Sequence, residues 1–62
     1  MTPKEVVTHY GAGKVAAAAY ALKVARQTLY DWINRKRVPG SWQIWIERDT
    51  GGELKADPKA RP

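Results

Sequence analysis

A chain of 62 residues without cysteine holds one domain at most, and neither disulfides nor a thiolate zinc site can supplement its core. Its net charge of +5 is large for this size and suits a polyanionic partner. No apolar run approaches transmembrane length and no signal-peptide apolar region opens the chain, so no membrane partner is expected and a cytoplasmic location fits.

The opening Thr2-Pro3-Lys4-Glu5 is a strong helix start: Thr2 caps, Pro3 suits the first helical position, and Glu5 completes a capping box. The helix that follows is expected to turn Val6, Val7 and Tyr10 inward and to stop at Gly11. Gly11-Ala12-Gly13-Lys14 is no Walker A loop, because the spacing differs and Val15 follows the lysine where a Ser or Thr is required. It reads instead as a tight connection into a second helix over about 14–22, with Lys14 near its first turn. Four consecutive alanines there combine high helix propensity with little bulk, so a third helix can pack closely across it.

Lys23-Val24-Ala25 is the turn between the second and third helices. Lys23 stands where a left-handed residue, commonly glycine, is expected, at a cost of about 1 kcal/mol. Ala25 stands where a capping Ser or Thr would help, a further loss of about 0.5–2 kcal/mol. The third helix, about 26–35, divides on a helical wheel. Leu29, Trp32 and Ile33 fall on one side, and Gln27, Tyr30, Asp31 and Asn34 on the other. An apolar back with a hydrogen-bonding front, joined by a short turn to an alanine-rich helix, is the helix-turn-helix pattern, and it implies a DNA-binding domain. The charge agrees: Lys14, Lys23, Arg26, Arg35, Lys36 and Arg37 lie in or beside this unit, and Asp31 is its only acid. Asp31 is expected to pair with Arg35 or Gln27 one turn away, or to accept from a cytosine amino group.

Pro39-Gly40 ends this unit and Ser41 is placed to cap a fourth element over 42–50. As a helix, that element gathers Trp42, Trp45, Ile46 and Asp49 on one side. As a strand it alternates Trp42, Ile44 and Ile46, and Gly51-Gly52 could turn it into a hairpin with 53–57. Thr50-Gly51-Gly52 serves equally as a helix C-terminus. The expected organisation is one domain over 1–57 and a loosely ordered tail over 58–62.

The residues resemble the short Cro repressors of lambdoid bacteriophages and related prophage Cro-like antitoxins. The resemblance runs through Lys4-Glu5-Val6-Val7-Thr8-His9-Tyr10-Gly11, Ala21-Leu22-Lys23-Val24-Ala25 and Arg26-Gln27-Thr28-Leu29-Tyr30-Asp31-Trp32-Ile33. It continues in Val38-Pro39 and Ile46-Glu47-Arg48-Asp49-Thr50-Gly51-Gly52. Those last residues belong to a helix in the proteins it resembles, which favours an all-α domain of four to five short helices. Other Cro proteins carry a C-terminal β-hairpin after three helices, so an α+β alternative stands beside it.

The resemblance implies a transcriptional repressor that binds operator DNA and blocks promoter use in a bacterial host cell. Arg26, Gln27, Tyr30, Asp31 and Asn34 are expected to read base edges, and Lys14, Thr28, Arg35, Lys36 and Arg37 to hold phosphates. One such helix reads only a few base pairs, so a weak homodimer, formed or strengthened on DNA, is expected. Ile44 and Trp45 are its expected interface, since no single arrangement buries all four large apolar residues of the fourth element in so small a monomer. The rival reading is an antitoxin-like protein-interaction module with autoregulatory DNA binding. An enzyme is the weakest reading: His9 has no evident carboxylate or thiol partner, and no acid pair or metal-ligand spacing appears. No catalytic residue, metal, cofactor or small-molecule substrate is expected.

Overall fold

The computed structural model describes residues 1–58 and contains four helices: α1 (Pro3–Gly11), α2 (Val15–Leu22), α3 (Arg26–Arg35) and α4 (Gly40–Asp49). No strand occurs among the described residues, so the all-α expectation holds and the hairpin alternative does not form. The tail expected over 58–62 lies, from residue 59 onward, outside the described residues.

Helix α1 begins as its sequence dictates. The Glu5 amide donates to Thr2 Oγ1 at 3.2 Å and the Thr2 amide donates to Glu5 Oε1 at 2.8 Å, so each satisfies one of the donors a helix start leaves open. Its end differs from the expectation. Gly11 is still helical, and Ala12 takes the left-handed conformation with φ 52°. Gly11 serves packing instead. It is buried, and a Cβ built on it would lie 2.6 Å from the backbone nitrogen of Ala18. Helix α1 therefore approaches the small-residue surface of α2 closely at Ala18.

The turn between α2 and α3 has the expected geometry. Lys23 takes φ 58°, and the Val24 amide donates to the Ala19 carbonyl at 3.0 Å, closing a Schellman-type cap. Ala25 stands at the start of α3 without a side-chain cap. Lys36 repeats the left-handed lysine at the end of α3, with φ 54°. A lysine in this conformation carries a Cβ clash that glycine lacks. The Lys23→Gly variant is therefore expected to be about 1 kcal/mol more stable, raising Tm by about 4–8 °C in a thermal melt. A lower Tm would mean that the aliphatic stem of Lys23 contributes more than its backbone costs.

Val6, Ala18, Leu29, Val38 and Ile46 are fully buried and are joined by Val7, Ala19, Leu22, Trp32 and Leu54 in one core. Helix α4 enters this core differently from the expected arrangement. It starts at Gly40 after Pro39, so Ser41 lies inside the first turn and makes no cap. Gln43 and Ile46 face inward, whereas Trp45, which the wheel groups with Ile46, is 48% exposed. Gln43 is buried at no polar cost. Its Nε2 donates to the Val38 carbonyl at 2.7 Å, and its Oε1 accepts from the Asp57 amide at 2.9 Å.

Residues 53–57 fold back as a strap. The Leu54 amide donates to Thr50 Oγ1 at 3.1 Å, the Ala56 amide to Glu47 Oε1 at 2.7 Å, and the N-terminal ammonium to the Lys55 carbonyl at 2.9 Å. Leu54 thereby fills the core edge. Helix α1 holds the same region through two neighbouring side chains. Tyr10 donates to Asp49 Oδ2 at 2.5 Å, and His9, expected to have no carboxylate partner, lies 3.5 Å from Glu53 Oε2. Burial, and then the hydrogen bond and negative charge of Asp49, hold the Tyr10 phenol above its usual pKa.

Candidate nucleic-acid interface

Helix α3 rests on the core through Leu29, 0% exposed, and Trp32, 4% exposed. With about 100° between successive residues, Gln27 and Asn34 share the line opposite that buried pair. Tyr30 flanks this line on one side and Asp31 on the other; all four are exposed. Arg26 and Arg35 lie at the two margins of the same face, also exposed. The front predicted from the wheel is thus the front that the fold leaves open. The back is narrower than expected: Ile33, placed with the apolar residues, is 37% exposed at the edge of α3. It lines a shallow groove of about 310 Å³ with Thr2, Pro3, Lys4 and Lys36.

A larger groove of about 660 Å³ runs beneath the Asp31 side of α3, floored by Trp32 and bounded by Thr28, Arg35, Arg37, Pro39, Gly40 and Ser41. It brings together Thr28, Arg35 and Arg37, three of the residues expected to hold phosphates, with Asp31 on the rim. Lys36 lies on the Ile33 side, and Lys14 stands at the start of α2 with no side-chain cap over that helix's first amides. Sequence reasoning did not connect Gly40 and Ser41 with this groove. The Pro39-Gly40 break was the available signal, since a turn there sets the first residues of α4 beside the basic end of α3.

The pair expected between Asp31 and Arg35 or Gln27 is not formed. Asp31 makes no side-chain hydrogen bond or ion pair with a described residue. The expected interface residues of α4 are partly separated by the fold: Trp45 is open and Ile44 is half-buried. Trp45 stacks edge-on against Trp42 with centroids 5.6 Å apart, and Trp42 packs against Trp32 at 5.6 Å. An aromatic chain therefore runs from the floor of the larger groove to the exposed surface of α4. No helix is long and apolar enough to cross a membrane, and no group of His, Cys, Asp or Glu suited to a metal occurs among the described residues.

Two short helices joined by a three-residue turn, the second carrying an open polar face between basic margins, define a helix-turn-helix domain. Residues 2–61 match the family model of the DNA-binding transcriptional regulator Cro, and the chain belongs to that family. It is a DNA-binding regulator of transcription, a class distinct from enzymes. Comparison with curated proteins and with solved structures gave no match.

Proposed function

We propose that this chain is a Cro-type transcriptional repressor that inserts α3 into the major groove of pseudo-palindromic operator half-sites and blocks promoter use. The observation that carries this reading is the single open face of α3, with Gln27 and Asn34 on its centre line. Gln27 is suited to bidentate pairing with adenine, Arg26 to guanine, and Asn34 and Tyr30 to neighbouring base edges; Asp31 completes the base-reading set. Phosphates fall to Lys14, beside the open amides of α2, and to Thr28, Arg35, Lys36 and Arg37 around the α3 margins.

Neutralising phosphates in this way displaces condensed counterions. The slope of log affinity against log salt is therefore expected to shrink by about 0.9 for each phosphate that a variant no longer neutralises. Lys36→Ala and Arg37→Ala should each flatten the slope by about 1 and weaken binding to all duplexes alike. An unchanged slope in both variants would remove the 36–37 segment from the interface.

A few base pairs per helix do not specify an operator, so two copies are proposed to bind half-sites about 34–36 Å apart. Exposed Trp45, with Ile44 beside it, supports an isologous contact through α4. In sedimentation with a two-half-site duplex, the wild-type chain should load as a pair and Trp45→Arg singly. Paired loading by both would place the contact elsewhere, and dimers that fail to bind DNA would favour a protein-interaction role.

A further inference from the structure

Among the residues that face outward from α3, one opposes the charge of its expected partner. Asp31 is exposed, lies about 40° from the Gln27 direction on the wheel, and shares the rim of the larger groove with Arg35 and Arg37. Neither arginine neutralises it at ion-pair distance. A solvated carboxylate costs little in the free chain. Against a duplex it meets phosphates on both sides and loses water, so its charge weakens binding unless a base supplies a donor.

The major groove limits which base can do so. An ionised carboxylate only accepts hydrogen bonds. Guanine presents O6 and N7 and thymine presents O4, all acceptors that repel it. Adenine offers its N6 amino group, but beside the N7 acceptor. Cytosine alone offers an amino donor at N4 without a neighbouring acceptor of its own. We propose that Asp31 is a specificity-determining residue that demands cytosine at one position of each half-site and penalises every other base there. This rests on the reading of α3 as the base-reading helix. It assigns Asp31 a selective role in which discrimination comes from repulsion as much as attraction.

The test is selection from a pool of random duplexes at fixed salt, run in parallel with wild type, Asp31→Ala and Asp31→Asn, each checked for unchanged helicity. Wild type should enrich a site in which one position per half-site is cytosine, preferred by about 5- to 150-fold. Asp31→Ala should lose the preference at that position and keep the others. Asp31→Asn should exchange cytosine for adenine there, because an amide pairs with the adenine N6 and N7. Both variants should bind unselected DNA roughly two- to fivefold more tightly, the effect of removing one like charge. Enrichment of the same site by all three proteins would overturn the assignment while leaving α3 as the reader. A preference altered across the whole site would overturn it too, marking Asp31 as structural. Enrichment of no site by wild type would defeat the reading of α3 itself.

Discussion

Replacing Gln27 with alanine is expected to weaken binding to the preferred duplex by about 5- to 150-fold, the worth of one bidentate base pairing. Affinity for unselected DNA should change by less than about twofold, because that term comes from phosphates, which Gln27 is not placed to hold. The asymmetry follows from position. Gln27 lies on the centre line of the open α3 face and is exposed, so its removal leaves the core and the basic margins intact. Thermal stability should therefore stay within about 0.5 kcal/mol of wild type. Equal losses on preferred and unselected duplexes would mean that α3 does not read bases through this line.

Gly11→Ala should produce the largest loss of stability among single-methyl changes. The added carbon would sit 2.6 Å from Ala18 nitrogen, 3.0 Å from its Cβ and 3.1 Å from its Cα. Two of those three atoms are backbone, so no side-chain rotation relieves the clash, and α1 and α2 must move apart. Overpacking of this kind costs about 1–3 kcal/mol, occasionally more. A domain of this length has only about 3–9 kcal/mol in total. Tm should fall by about 4–24 °C, measured by far-UV circular dichroism. DNA affinity should fall with it near the new melting range, since α2 carries the turn that aims α3. A melt within about 2 °C of wild type would show that the two helices do not pack closely there.

The start of α1 was legible in the sequence because capping is local: Thr2, Pro3 and Glu5 interact within one turn, so their spacing carries the geometry. The span and front of α3 were legible because Leu29 and Trp32 give its buried line an unambiguous direction. The pairing of Asp31 was not, since spacing alone does not set whether a solvated carboxylate joins an arginine one turn away.

The face of α4 was harder to read. On a helical wheel Trp42, Trp45 and Ile46 share one side and Ile44 lies opposite, so no single face buries all four. The buried face carries Gln43 beside Ile46, and the partners of Gln43 are the Val38 carbonyl and the Asp57 amide. Those groups arrive from a loop and from the strap, and their positions depend on the completed fold. A glutamine reads as surface until both its donor and its acceptor are matched. Gly11 is similar: its sequence position suggested a helix stop, whereas its role is set by Ala18, seven residues away and across a turn. His9 and Glu53 meet only because the strap returns to α1.

One face of α3, with its basic margins, is proposed as the DNA interface. The most direct measurement follows backbone amide chemical shifts as the labelled protein is titrated with a duplex enriched from the random pool. The largest changes are expected at Lys14, Gln27, Thr28, Tyr30, Asp31, Asn34 and residues 35–37, with smaller ones at Trp45 as a second copy arrives. Changes centred on α4 or the 53–57 strap, with Gln27 and Asn34 unmoved at saturation, would contradict that interface.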